Sequence, residues 1–467
     1  MSTLRHNNKN LTTQPPTILT LFYNEGEIDY AKKNKTEIKN IVNEIFSKSP
    51  DVLFIGNQES LIDFNSSFVK QIKDSIEFQM DEKRRGKVGY EMRCTLLGGS
   101  SMTGASTLLS FASMITSKIK QNKNIRSTLF IRKDCVDNLR ESKVEQIGQK
   151  CNLTSFTKGT AFKDAILCNF TYNNIQYCIV NTHLSFTDKS ANQNYQKRSK
   201  QLICLLKKVS NYIYTHNIIF GGDLNFRLLP KQYIEGQKLN EKLKYNSKDY
   251  LKSESVKNFN NMPQNILNYN ELSRLLSNPG KLIGNSNTSS SRSHVSSHNI
   301  LRVANVTTTR LFTLINRFKR NLDATPFYIT CKYKENTNQI ETAVIKDKSK
   351  DKKIERSQST GNLRNSQFSG VNPFFSKNLP PRPGSTGQIN IGALKNIENN
   401  TKKITYRMPS MCDRILYSFL QKIDPLTGNV SSDPSNVSHL INIYPIERLK
   451  LTYSDHLMLC AAIYVNK

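Results

Sequence analysis

The sequence predicts a layered α/β or α+β core. Three observations predict it. Short apolar runs of β character alternate with helically spaced stretches over the first half, the runs open into loops rich in Asn, Asp and Gly, and no repeat at a solenoid period is present. The 467 residues are 37% hydrophobic and 22% charged, which is enough for a sizeable core and too apolar for a disordered chain.

Residues 17–23 read as a strand, and residues 37–46 place Ile38, Ile41, Val42 and Ile45 at helical spacing. A short buried strand at 52–55 is followed by a helical stretch. Further strands are expected at 165–172, 175–180, 218–221 and 457–465, with a helix over 201–213. Two polar segments break the pattern. Residues 277–321 carry seven Lys/Arg and no acidic residue, and 334–407 carry 14 Lys/Arg against 6 Asp/Glu, so together they hold half of the net charge of +30. Apolar sequence resumes after each. They are therefore expected to be two disordered inserts, a basic Ser/Asn-rich one at 277–308 and a low-complexity Lys/Ser/Pro one at 334–401, in a single catalytic domain over 16–467.

The charge favours polyanionic partners: nucleic acid, acidic membrane, or phosphorylated small molecules. Nine scattered Cys without a CxxC pair predict free thiols in a reducing compartment. Residues 1–14 have no apolar run, and Leu457 to Val465 is too short to span a bilayer. The expectation is a cytoplasmic protein able to associate peripherally with membranes.

The strongest motif is Gly221-Gly222-Asp223-Leu224-Asn225-Phe226-Arg227, after a strand. An Asp there can accept a proton from water and an Asn two residues on can donate to an anionic oxygen; alone, it reads more readily as a Gly/Asp/Asn turn. Ser454-Asp455-His456 precedes the last strand, where Asp455 could set the tautomer of His456 and raise its pKa. Asp413 and Arg414 open another β-like run and could simply brace a site. Gln58-Glu59 offers a hard-cation carboxylate. Asn24 and His183 end two further strands. Each alone is unremarkable. Their coincidence at strand ends in separate elements suits metal-assisted hydrolysis of a phosphate ester.

These motifs, in this order, resemble the inositol polyphosphate 5-phosphatases of the endonuclease/exonuclease/phosphatase superfamily. Gly-Asp-x-Asn-x-Arg is matched at Gly222, Asp223, Asn225 and Arg227. Pro-x-x-Cys-Asp-Arg-Ile-Leu is matched from Pro409 to Leu416, and Phe327 to Tyr333 resembles Phe-x-Pro-Thr-Tyr-Lys-Tyr. The resemblance implies a four-layer α/β/β/α sandwich and a Mg2+-dependent hydrolase removing the 5-phosphate from phosphoinositides or soluble inositol polyphosphates. It implies Mg2+ on Asn24 and Glu59, water activation by Asp223, phosphoryl contacts from Asn225, His456 and His183, and Asp455 orienting His456. Lys158, Lys332, Tyr333 and Arg407 would meet neighbouring phosphate, with Arg414 beside them as a substrate contact. The departures are the absence of Trp, with Tyr23 and Met411 in its usual places, Cys331 for an aromatic residue, Thr405 for Lys and Thr157 for Asn. They bear on substrate preference. Two alternatives stand beside this reading: a nuclease of the same fold, against which the Pro-x-x-Cys-Asp-Arg-Ile pattern speaks so that no nucleic acid partner is expected, and an inactive phosphoinositide-binding module.

Leu311, Leu314, Ile315 and Phe318 form an apolar stripe among Arg310, Arg317, Lys319 and Arg320. This predicts a helix that packs on the core or, alternatively, lies on an acidic membrane surface. Pro380, Pro381 and Pro383 read as a stiff segment or an SH3-like ligand.

Overall fold

The computed structural model describes residues 15–78, 89–97, 123–148, 151, 163–186, 191–227, 270–279, 297–325, 330–331, 333, 343–347, 402–406, 410–420, 438–447 and 450–466. It is a mixed α+β fold of four layers, with two sheets face to face and helices outside each. The first sheet is built from β1 (Ile18–Asn24), β2 (Val52–Leu61), β3 (Tyr90–Leu97), β4 (Lys123–Arg132), β12 (Ser438–Pro445) and β13 (Leu459–Asn466), in the order β12-β13-β1-β2-β4-β3. The second contains β5 (Leu139–Gln146), β6 (Ala165–Tyr172), β7 (Ile175–His183), β8 (Asn217–Asp223) and β11 (Asp413–Ser418), in the order β11-β8-β7-β6-β5. Strands β9 (Ala343–Asp347) and β10 (Lys402–Tyr406) pair separately.

Period-two alternation sorts the side chains of β1. Leu19, Leu21 and Tyr23 face outward onto Ile38, Ile41, Val42 and Ile45 of α1 (Thr36–Lys48) and onto Phe68, Val69, Ile72 and Ile76 of α2 (Phe68–Phe78). Ile18 and Phe22 face inward with Val52, Phe54 and Leu129, against Phe170, Tyr177, Ile179 and Ile219 of the other sheet. The outer face of the second sheet buries Val180, Ile218, Phe220 and Leu416. It does so under α3 (Ala191–Val209), α4 (Glu271–Ser277) and α5 (Ser297–Ala324). Burying each such aliphatic or aromatic side chain contributes roughly 1.5–3 kcal/mol, so these three clusters are the main stabilising term.

Each sheet contains one parallel pair with a helix between its strands: β1-α1-β2 and β7-α3-β8. Parallel neighbours end on the same side, so the carboxyl ends of β1, β2, β7 and β8 share one rim. The register pairs Asn24 with Gln58 and His183 with Asp223. Strand β11 runs antiparallel to β8 and starts at that rim, with Asp413 opposite Asp223. Strand β13 pairs Leu459 with Phe22, so the residues just before it arrive at the same place.

Several elements run longer than their apolar cores predict. Strand β2 continues through Asn57, Gln58, Glu59 and Ser60 because β1 and β4 supply its ladder partners, with a shift of register between Asn57 and Ser60. Helix α5 begins at Ser297, inside the stretch read as the first insert, and β9 falls inside the second. Apart from residues 277–279, the rest of both segments, the Pro380–Pro383 stretch included, lies outside the described residues. The expectation that every Cys is a thiol is corrected: Cys151 and Cys204 are disulfide-bonded, with Cα atoms 5.6 Å apart. The fold brings together the turn after β5 and the middle of α3, which spacing in sequence does not reveal.

The apolar stripe of α5 settles between its two readings. Leu311, Leu314, Ile315 and Phe318 are all fully buried, with Phe318 packed 6.2 Å from Phe220. Arg317 donates to Ser418 Oγ at 3.3 Å, and Ser418 pairs with Ile218 at the end of β8 remote from the rim. The stripe that would enter a leaflet is already in the core. Among the described residues no helix is long and apolar enough to cross a membrane.

Gly222 has φ +120°, and a Cβ added there would lie 2.2 Å from the carbonyl oxygen of Thr182. Only glycine lets β8 press this closely on β7 before Asp223. Gly222→Ala is expected to destabilise the protein by about 2–4 kcal/mol, from backbone strain plus overpacking; the shift of the urea midpoint measures it.

Candidate active site

Asp223 sits at the centre of the rim, 2% exposed. Its Oδ2 accepts from Asn24 Nδ2 at 3.0 Å and lies 3.3 Å from His183 Nε2. Its Oδ1 accepts from the backbone N–H of Asn225 at 2.9 Å, an Asx turn that puts Asn225 at φ +55°. Burial works to raise the pKa of Asp223. The hydrogen bond from His183 and the charges of His183, His456 and Lys163 outweigh it and hold the carboxyl well below the usual range. It therefore stands as a carboxylate at neutral pH, able to take a proton.

Three motifs use one residue as a strut and a residue one or two places on to face the cleft. Gln58 Nε2 donates to Asn181 Oδ1 at 2.6 Å, joining the two sheets. Asn181 Nδ2 in turn donates to the carbonyls of Asn57 and Arg126 at 3.2 and 2.9 Å. Glu59 and His183 follow these struts and reach the rim. Ser454 Oγ donates to the carbonyl of Asn24 at 2.6 Å and accepts from the N–H of His456 at 3.1 Å, which fixes the turn that delivers His456.

His456 is 6% exposed, and its Nδ1 lies 2.9 Å from Asp413 Oδ2. The carboxylate on Nδ1 is thus Asp413, whereas Asp455, the residue expected to orient the ring, has its Oδ1 3.6 Å from Nε2. Adjacency in sequence suggested Asp455; the β8–β11 register supplies Asp413. Burial alone would lower the pKa of His456, but the Asp413 and Asp455 carboxylates and the hydrogen bond to Asp413 raise it to about 10. Burial pushes Asp413 up to about 6, against the pull of His456. Between those values the pair is an imidazolium–carboxylate couple, with Asp455 on the Nε2 side of the ring.

Lys163 is a site residue that sequence reading missed. Its Nζ lies against the His183 ring, 3.3 Å from Nδ1, and 3.7 Å from Glu59 Oε1. Asp164 anchors it: its Oδ1 accepts from the N–H of Ala165 at 2.7 Å, and its carbonyl accepts from the N–H of His183 at 2.9 Å. Burial lowers the pKa of Lys163. Burial and the neighbouring Lys163 also lower that of His183. A lysine two residues before a strand carries no signal of its own; the expected basic residue, Lys158, lies outside the described residues, as do Lys332 and Arg407.

Arg414 differs from its expected place. It pairs with Gly222, one residue out of phase with Asp413, so it faces the α5 side with Leu416 rather than the cleft. It is 1% exposed, and its Nε and Nη1 have no hydrogen-bond partner among the described residues. Burial pushes its pKa down to about 9. No Asp413–Arg414 ion pair forms among those residues either. Tyr333 is held by its N–H on the carbonyl of Asp455 at 3.0 Å, beside His456.

A second layer fixes the Asp223–Asn225 turn. Asn225 Nδ2 donates to the carbonyl of Leu184 at 3.0 Å, and Arg227 Nη2 donates to Asn225 Oδ1 at 3.1 Å. Glu271 Oε2 accepts from the Arg227 N–H at 2.8 Å and from Arg198 Nη2 at 2.7 Å, with Arg198 and Glu271 both fully buried. Glu271→Ala leaves the Arg198 charge buried without this carboxylate and is expected to cost about 3–5 kcal/mol in a denaturant titration. Replacing Arg198 as well, by Met, should recover part of that loss.

Asn24 ends β1, and Glu59 follows Gln58, its parallel partner on β2, with the Glu59 backbone at φ +52° in the irregular stretch of that strand. Their carbonyl and carboxylate oxygens are the donors a hard cation takes. Ligand atoms of Asp223, Asp413 and His456 also lie within 4.8 Å of one another.

A family model described as endonuclease/exonuclease/phosphatase family 2 matches residues 23–273, more than half of the chain. The chain belongs to this family. The match runs from the last turn of β1 to α4, and so takes in Asn24, Glu59, His183, Asp223 and Asn225. No curated protein matches the sequence. Among solved structures the chain is similar to the inositol polyphosphate 5-phosphatase domain of a synaptojanin, in complex with inositol (1,4)-bisphosphate and a calcium ion. Identity is 13% and the TM-score 0.45, covering 96% of this chain and 84% of that one. It is similar to Cimex nitrophorin at 12% identity and TM-score 0.41, covering 97% and 100%. The human nocturnin catalytic domain with bound sulfate gives 13% and 0.36, covering 97% and 96%.

Proposed function

We propose that this endonuclease/exonuclease/phosphatase family member is a Mg2+-dependent phosphomonoesterase that removes the 5-phosphate of phosphoinositides or soluble inositol polyphosphates. One observation carries the reading: the Asp413–His456 couple stands on the same rim as the Asp223 carboxylate. The Asp413 of that couple comes from the Pro-x-x-Cys-Asp-Arg-Ile-Leu motif, the pattern that separates the resembled phosphatases from nuclease relatives.

In this reading Asn24 and Glu59 hold Mg2+, which when bound neutralises charge on the scissile phosphate. Asp223 takes the proton of the attacking water. Asn225, with one amide hydrogen on Leu184, turns the other to a phosphoryl oxygen, and the His456 imidazolium donates from Nε2 to another. His183 and Lys163 add positive or polar contacts on the Glu59 side. Displacement at phosphorus needs positioning and charge stabilisation more than covalent chemistry, and this inventory supplies both. Lys158, Lys332, Tyr333 and Arg407 are the proposed contacts to a neighbouring ring phosphate. The cytoplasm, with contact to acidic membrane during turnover, is the proposed setting.

The test is phosphate release from a panel of inositol lipids and free head groups, with Mg2+ and with chelator, beside a plasmid-nicking assay. Chelator-sensitive release confined to 5-phosphorylated compounds is expected. Nicking without phosphate release would instead make the protein a nuclease, and substrate binding without turnover would make it a binding module.

A further inference from the structure

Two cysteines meet directly beneath this site. Cys331 Sγ and Cys412 Sγ are 2.7 Å apart, and both residues are fully buried. The backbones that carry them are already joined. Cys331 bridges Ser410 on one side and His456 on the other, the N–H groups of Thr330 and Cys331 donate to the carbonyl of Ser410 at 3.0 and 3.1 Å, and the Asp413 N–H donates to Thr330 Oγ1 at 3.0 Å. Neither sulfur is in a disulfide. We propose that Cys331 and Cys412 form an oxidation site that a hydroperoxide converts reversibly into a disulfide under the Asp413–His456 couple.

The two sulfurs have different surroundings. Arg227 Nη1 donates to Cys331 Sγ at 3.3 Å, so a cation faces the sulfur that becomes negative as it attacks. Burial, then the hydrogen bond with Cys331, pushes the Cys412 thiol well up, which keeps it protonated until it is called on. Cys331 is thus the attacking sulfur and Cys412 the resolving one. The Cys331 sulfur attacks one oxygen of hydrogen peroxide as its thiol gives up its proton, the O–O bond breaks, and the leaving hydroxide takes up that proton to become water. The product is a sulfenic acid. The Cys412 sulfur then attacks the Cys331 sulfur, the S–O bond breaks, and a second water leaves with the Cys412 proton. Two thiols and one peroxide give one disulfide and two waters; both sulfurs are oxidised and both peroxide oxygens reduced.

Reaching a disulfide length of about 2.05 Å requires the sulfurs to close by about 0.65 Å. The strands around them are pinned by the hydrogen bonds above, so the bond adds a covalent tie where alignment exists. The tie would join the segment leading to Tyr333 to the strand of Asp413. The thiol hydrogen bond from Cys331 to the Ser410 carbonyl, 3.3 Å, would be lost.

Peroxide treatment of the folded full chain, alkylation of the remaining thiols and non-reducing peptide mapping test this without reference to catalysis. The expected product joins the peptide containing Cys331 to the one containing Cys412, lighter by two hydrogens than the pair, and dithiothreitol separates them. In Cys412→Ser the joined peptide should vanish and dimedone should label Cys331. Recovery of both cysteines alkylated as in untreated protein, or sulfinic acid on either one with no joined peptide, would overturn the proposal. The wild-type map decides even if the variant does not fold.

Discussion

Replacing Asp223 by Asn is expected to reduce phosphate release by at least about two orders of magnitude, as loss of a general base does, with little change in the melting temperature. The substitution keeps the shape of the side chain and the oxygen that accepts from the Asn225 N–H, so the turn after β8 survives. It removes the negative charge toward which Asn24, His183 and His456 converge. An amide cannot take the proton of water. It also presents hydrogen where Asn24 Nδ2 now donates, which turns a hydrogen bond into a contact between two donors unless one amide flips. Stopped-flow or end-point phosphate release on matched, folded samples measures the effect. Near-normal turnover would take the base role away from Asp223.

The second large effect separates two neighbouring acids. Asp413→Asn is expected to cost about two orders of magnitude in kcat/KM, and Asp455→Asn much less. Asp413 makes the 2.9 Å contact to Nδ1 and heads the groups that hold the imidazole protonated; Asp455 lies 3.6 Å from Nε2 and is partly exposed. Sign follows from charge. Removing a carboxylate beside an imidazolium lowers its pKa, so the alkaline limb of the pH profile should move down from about 10 in Asp413→Asn. Below about 6 the wild type should lose activity as Asp413 takes up its proton. Equal losses in the two variants, or an alkaline limb that does not move, would return the orienting role to Asp455 or to neither acid.

Much of this site was legible because its residues stand at the ends of apolar runs. The strand through Ile218 and Phe220 announces Asp223 and Asn225, the run after Tyr172 announces His183, and β1 announces Asn24. The layers were legible too, since α1 and β1 carry clean periods of 3.6 and 2. What was hidden depends on pairing across the sheets. Asp413 reaches His456 only through the β8–β11 register, and Arg414 leaves the cleft because it is one residue out of phase with Asp413. Lys163 enters because Asp164 ties the start of β6 to the end of β7, a contact of two backbones that no local pattern encodes. Arg198, Glu271 and Arg227 form their buried network from three separate elements, and nothing in the spacing of those residues marks them as partners.

The hydrogen bond between Gln58 and Asn181 has a mechanical meaning. It is the rivet through both sheets at the level where Glu59 and His183 emerge. Half of the cleft is mounted on one sheet and half on the other, so a small slip between the sheets would pull the halves out of line while every ladder within each sheet stayed intact. Turnover should therefore fail before either sheet melts, and catalysis becomes the most sensitive gauge of how well the two halves are clamped.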